Sequence, residues 1–182
     1  TPGVKSRAPL FICINRLVKM KRTDLAIRAM QIIGKAHPVA KLVLVGTGYD
    51  RSNLKNLRRN LKLQSTVSFV DENVWYFAKD ARDVKVKLMQ QAWALVFPSV
   101  KEGWGMTVTE CAACGTPAIV SAVSGLVDAV QNGQTGIVLA RDPGPWEIAA
   151  AMTRIITDAK LRRHLARGAV AWSKKFSWDK SH

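Results

Sequence analysis

Acidic residues are scarce in this chain: 13 Asp and Glu stand against 28 Lys and Arg among 182 residues, a formal net charge of +15. A surplus of that sign attracts nucleic acid, an anionic membrane face or a phosphorylated substrate. The cations gather at 51–62, 79–87 and 160–175 rather than in one block, and solvated helix faces would give the same composition. Cysteine is also rare. Cys13, Cys111 and Cys114 are too few and too oddly placed for a disulfide framework, which suits a reducing compartment, so the cytoplasm is the expected location. The Cys111-x-x-Cys114 pair has no second pair and no neighbouring histidine, so it reads as packing and not as a metal site. No apolar run approaches the length of a membrane span. The three histidines, His37, His164 and His182, are scattered, and no Asp-x-Asp pair is present to hold a divalent cation. The chain opens at Thr1 without a Met or a signal peptide, and Pro2 and Gly3 resemble a linker. A piece of a longer protein is therefore expected.

What is present is a regular alternation of short elements. The length suffices for a full core and is expected to form one domain, residues 1–182. Apolar runs of strand length occur at 9–14, 41–45, 66–70, 94–97, 117–120 and 137–139. Between them lie helical patterns: Leu25, Ile27, Met30, Ile32 and Ile33 after Asp24; 52–61; Val84, Val86, Leu88, Met89 and Ala92; 106–114; 148–156; and 161–172. Strands alternating with helices at such short intervals imply a parallel sheet covered on both faces. The expected fold is a six-stranded, doubly wound α/β domain, Rossmann-like in architecture.

Three strand ends carry chemistry. After the strand at 94–97 come Pro98 and Ser99, then Lys101-Glu102-Gly103-Trp104-Gly105-Met106-Thr107-Val108-Thr109-Glu110. Gly103 and Gly105 let the backbone turn and approach a ligand, and a helix should start near Gly105. Its first N–H groups lack intrahelical partners and suit a phosphate. Glu102 lies in the loop and Glu110 about one turn into the helix, where a carboxylate can accept two hydrogen bonds from vicinal hydroxyls. At an arbitrary spacing these would be two surface charges; the glycines and the strand-loop-helix context reverse that reading. The loop after the first strand puts Arg16 and Lys21 where ligands of open α/β sheets bind. Gly46-Thr47-Gly48 closes the second strand, although without the third glycine of a dinucleotide fingerprint.

Glu102 through Glu110 resembles the E-x7-E motif of retaining glycosyltransferases with the GT-B fold, the group 1 or family 4 class. The flanking Phe97-Pro-Ser-Val-Lys-Glu-Gly-Trp-Gly and Ala112-Ala-Cys-Gly-Thr-Pro extend the match. The resemblance spans roughly residues 10–180 and implies the C-terminal, donor-binding half of such an enzyme. The implied substrate is a nucleotide diphosphate sugar, UDP- or GDP-linked, with no further cofactor and no metal, and the implied enzyme is of hexosyltransferase type. Glu102 would then face the donor sugar and Glu110 hold the ribose, while Gly103, Trp104, Gly105, Met106 and Thr107 bind the donor, the helix start from Gly105 to Thr107 taking its diphosphate. Arg16 and Lys21 resemble the basic pair of G-R-L-x-x-x-K-G, used against the diphosphate, although Asn15 and Arg22 stand where glycines are usual. Gly46 and Gly48 resemble V-G-x-G beneath the nucleotide. The stretch 71–79 is longer than its counterpart; Trp75, Tyr76 or Phe77 would stack on the base or pack on a neighbouring domain. Gly125 matches the family's S-x-x-G-G loop, with Ser124 replacing the adjacent Gly, and Phe176-Ser177-Trp178 resembles its F-S-W segment. A glycan or lipid-linked acceptor would bind through an N-terminal domain absent from this chain, at a cytoplasmic membrane face if the basic clusters serve there. Rival readings are a basic nucleic-acid or membrane module, or a same-fold epimerase or glycan phosphorylase. No RNA-binding motif is present and the aromatics do not interleave with the basic clusters, so no nucleic acid is expected.

Overall fold

The computed structural model describes residues 1–70 and 81–176. The stretch with Trp75, Tyr76 and Phe77, and the tail beyond Phe176, lie outside the described residues. The strands are β1 (Leu10–Ile14), β2 (Lys41–Val45), β3 (Val67–Phe69), β4 (Ala94–Phe97), β5 (Ala118–Val120) and β6 (Gly136–Val138). Between and after them come α1 (Thr23–Ile33), α2 (Arg51–Asn60), α3 (Ala81–Gln91), α4 (Met106–Ala113), α5 (Leu126–Ala129), α6 (Pro145–Thr157) and α7 (Ala159–Ser173). All six strands are parallel, in the order β3-β2-β1-β4-β5-β6.

The period-2 pattern of each strand accounts for the two-sided cover. Phe11 and Cys13 of β1, Leu42 and Leu44 of β2, and Ala94 and Val96 of β4 join one core with α1, α2, α6 and Leu165 of α7. Their alternates Ile12, Ile14, Val45, Leu95 and Phe97 join a second core with Met89, Val108, Cys111 and Leu126. Burying each large aliphatic or aromatic side chain contributes about 1.5–3 kcal/mol, and an all-parallel sheet, apolar on both faces, needs both of them covered. Helix α6 begins at Pro145, three residues before the periodic pattern shows it, because proline suits a first turn whose N–H needs no partner. Asp158 ends α6 and starts α7, its carboxylate accepting from the Leu161 N–H at 2.8 Å.

Several of the surplus cations are used by the fold itself. Arg58 and Arg51 donate to the carbonyls of Val67 and Val70 at edge strand β3, and their guanidinium groups lie 5.3 and 5.8 Å from the Phe69 ring centroid. Arg162 lies 3.9 Å from the Trp93 ring centroid and donates to the carbonyls of Ile155 and Ile156 at the end of α6. Burial lowers its pKa from the usual guanidinium value, helped by Arg163. Lys160, Arg163, Arg167 and Lys174 remain exposed along α7 and just beyond it.

Candidate functional site

The strand order reverses direction between β1 and β4, and crevices of open α/β sheets form at such a switch, outside the carboxyl ends of the strands. The loops carrying the candidate residues leave from these two strands. They are tied together: the Val100 N–H donates to the Met20 carbonyl at 3.0 Å, and the Ser99 hydroxyl donates toward the Met20 and Lys101 carbonyls. Ser121, after β5, donates in turn to the Ser99 carbonyl. Through these bonds Lys21 and Glu102 meet. The Lys21 ammonium donates to Glu102 Oε2 across the switch and lies 5.5 Å from the Phe97 ring centroid. Only 8% of Lys21 is exposed.

The Glu102 loop is seated on the start of α5. A Cβ on Gly125, whose φ is +83°, would lie 1.9 Å from the Gly103 carbonyl oxygen and 2.8 Å from that of Glu102. Gly105 is the N-cap of α4, and no side chain caps this helix. The Val108 and Thr109 N–H groups return to the Gly105 carbonyl, while Met106 is exposed and Thr107 half-buried at the same end. The N-terminus of α4 is thus left open, with the positive end of its dipole uncompensated by any first-turn carboxylate. The Trp104 ring turns onto Phe176, edge to face at 5.2 Å, and Phe176 meets Trp172 in the same way.

Arg16 is exposed, and its side chain has no hydrogen-bond or ionic partner among the described residues. Gly46 and Gly48 lie beneath its loop. A Cβ on Gly46 would meet the Asn15 carbonyl oxygen at 1.9 Å, and one on Gly48 the Leu17 carbonyl oxygen at 2.3 Å. Leu17 and Asp50 complete the attachment, Leu17 N–H to Thr47 and Asp50 N–H to Leu17. These glycines hold the basic loop by close backbone approach. Asn15, in place of a glycine, accepts from the Thr23 hydroxyl, while its buried Nδ2 has no partner among the described residues.

Glu110 is not beside Glu102 in a shared ion pair. Its Oε2 lies 2.6 Å from Lys85 Nζ of α3. Glu110 also borders a cleft of about 490 Å³ lined by Thr109, Ala113, Val170 and Phe176. A second cleft, about 410 Å³, lies between the basic loop and α2, with Lys19, Arg22, Arg28 and Asp50 on its walls. Sequence reasoning missed Lys85: it stood in a charge cluster, and no spacing relates it to Glu110. It also missed why Gly125 must be glycine.

All three cysteines are free and buried. Cys13 and Cys111 are fully buried and burial pushes both thiols upward, as it does Cys114. Lys5 lies near Cys111 and Cys114; burial lowers its ammonium to about 8, and it donates to the Thr116 hydroxyl at 2.5 Å. Among the described residues, no three His, Cys, Asp or Glu side chains gather as metal ligands, and no helix is long and apolar enough to cross a membrane.

Residues 2–172 match the profile of the family described as "Glycosyl transferases group 1". A D-inositol 3-phosphate glycosyltransferase of Salinispora arenicola is 30% identical over 98% of this chain, and the match covers 40% of that protein. The chain thus spans less than half the length of that relative. Among solved structures, the C-terminal domain of a glycosyl transferase group 1 family protein (LpcC) from Francisella tularensis superposes with TM-score 0.80 at 19% identity, over 94% of this chain and 87% of that one. Anabaena Alr3699/HepE, solved in complex with UDP and glucose, superposes with TM-score 0.79 at 21% identity, over 92% of this chain and 44% of that one.

Proposed function

The chain belongs to the group 1 glycosyl transferases, and from that premise we propose that it forms the donor-binding half of a retaining enzyme that moves a hexosyl unit from a UDP- or GDP-linked sugar to an acceptor. The observation that carries this reading is the Lys21–Glu102 pair, which joins the two loops at the switch point beside the open N-terminus of α4. UDP in the Anabaena neighbour supports the choice of ligand class.

In this reading the leaving diphosphate gains negative charge as the glycosidic bond breaks. Arg16, Lys21 and the N–H groups of Gly105, Met106 and Thr107 stabilise that charge, so the positive field comes from the protein and no metal is called for. An ammonium has three donors; Glu102 takes one from Lys21 and leaves two for phosphate oxygens. Glu102 keeps its second oxygen for a sugar hydroxyl, and the pair thereby links the sugar and diphosphate subsites. Glu110 accepts from the ribose. The acceptor is bound by a further part of the parent protein, in the cytoplasm. The exposed row Lys160, Arg163, Arg167 and Lys174 supports an anionic membrane face as the place of a lipid-linked acceptor. Binding to anionic vesicles that persists at high salt, or that neutral vesicles match, would remove that last element.

Two substitutions test the donor site. Glu110→Ala should weaken a nucleoside diphosphate by about 1.5–3 kcal/mol, the range for hydrogen bonds to a charged group, or about tenfold and more. Glu102→Ala should leave the bare diphosphate nearly unchanged and narrow its affinity gap to the intact sugar nucleotide. Calorimetric titration of each variant, with circular dichroism as the control for folding, decides the matter. An intact Glu110→Ala chain that binds the diphosphate as well as the parent would sink the donor-site reading.

A further inference from the structure

The ion pair between Lys85 and Glu110 is only half satisfied. Lys85 Nζ approaches Glu110 Oε2 at 2.6 Å, with side-chain exposures of 27% and 44%. The ammonium has three donors and spends one; among the described residues Glu110 Oε1 accepts nothing. A purely structural surface pair of this exposure would contribute little, roughly 0–1 kcal/mol. Its place matters more than its strength, because Glu110 lies one turn inside α4, the helix whose uncapped N-terminus stands at the switch point. A hydroxyl group donates one hydrogen bond and accepts others, so neither a carboxylate nor an ammonium alone satisfies it. A carboxylate and an ammonium held side by side do.

We propose that Lys85 is a donor-site residue: it fixes the orientation of the Glu110 carboxylate and donates to the oxygen of the same ribose hydroxyl that Glu110 accepts from. This rests on the donor-site reading of Glu110 and deepens it, assigning the discrimination of a ribonucleotide from its deoxy analogue to a charged pair rather than to one glutamate. Helix α3 then contributes to recognition through Lys85, while α4 supplies the carboxylate. Lys85 also limits the cost of bringing a ribose against Glu110, since the carboxylate is already ordered when the ligand arrives.

The test compares UDP, or GDP if that is the tighter ligand, with its 2′-deoxy and 3′-deoxy analogues by calorimetry on the whole chain. The parent should prefer the ribonucleotide over one deoxy analogue by about tenfold, the loss expected when a hydrogen bond to a charged group is removed. Lys85→Met should reduce that preference to about twofold or threefold through weaker ribonucleotide binding, with the deoxy analogue nearly unaffected. Lys85→Arg, which keeps a charged donor, should restore most of it. In a double-mutant cycle with Glu110→Gln the two losses should not add, because either change dismantles the same pair. Circular dichroism and the denaturation midpoint of Lys85→Met should match the parent. If Glu110→Ala loses the preference while Lys85→Met keeps all of it, Lys85 is a surface charge and this inference is overturned with the donor site intact. If the parent shows no preference and Glu110→Ala binds normally, the donor-site reading falls, and Lys85 with it.

Discussion

Substituting alanine at Gly125 separates the seating of the Glu102 loop from its contact with ligand. The residue carries φ +83°, and an L side chain in the left-handed region costs about 1–2 kcal/mol. Its new Cβ would lie 1.9 Å from the Gly103 carbonyl oxygen, 2.6 Å from the carbonyl carbon and 2.8 Å from the Glu102 carbonyl oxygen. All three are backbone atoms, so no side chain can swing aside; the loop itself must lift, with overpacking strain of about 1–3 kcal/mol. Together these predict a loss of about 2–5 kcal/mol. Lifting the loop also pulls Glu102 from Lys21, so sugar-nucleotide affinity should drop in whatever fraction remains folded. Gly103→Ala is the contrast: nothing lies within 4 Å of its Cβ, so stability should change by less than about 0.5 kcal/mol. The methyl would stand in open space, so a loss of sugar-nucleotide affinity at unchanged stability would report contact of this loop with the ligand. Urea denaturation followed by tryptophan fluorescence gives the first quantity and calorimetric titration the second. A Gly125→Ala chain with an unchanged midpoint and undiminished affinity would refute the argument that this glycine seats the loop.

Lys21→Met should destabilise the chain by about 1–3 kcal/mol, because Glu102, with 19% of its side chain exposed, keeps its charge and loses its partner. Adding Glu102→Gln should recover part of that loss, and simple additivity in the denaturation midpoints would contradict a coupled pair. Lys5 predicts a pH effect. Burial brings its ammonium from 10.5 to about 8 in the folded chain, so between these values the unfolded chain binds the proton that the folded chain has released, and stability rises with pH. Above about pH 9 the buried thiols act the other way, since their raised folded values let the unfolded chain ionise first. The gain is therefore to be sought between pH 8 and 9. There Tm of the parent should rise relative to Lys5→Met, and parallel curves would refute the assignment. The Glu110, Glu102 and Lys85 variants described above complete the set.

Much of the architecture was legible without coordinates. The continuous apolar runs of β1 and β4 and the helical pattern of α1 state which side chains are buried, because such a pattern can be read within each short segment. Gly105 marks the start of α4, and Gly115 and Pro117 just beyond it mark its end, since backbone permission is local. Boundaries shifted where pattern gives no information, as at Pro145; edge strand β3 is trimmed to Val67–Phe69, and β6 moves one residue earlier at the same length. The sequence by itself determined that Arg16, Lys21, Glu102 and the start of α4 sit at strand ends, because each follows an apolar run. Only the tertiary structure decided which ends are neighbours. Placing β1 beside β4 depends on how two cores are shared across the whole sheet, a non-local free energy that no window of residues contains. From that placement follow the meeting of Lys21 with Glu102 across 81 residues, the backbone of Gly103 over Gly125, and the pairing of Glu110 with Lys85 on a different helix.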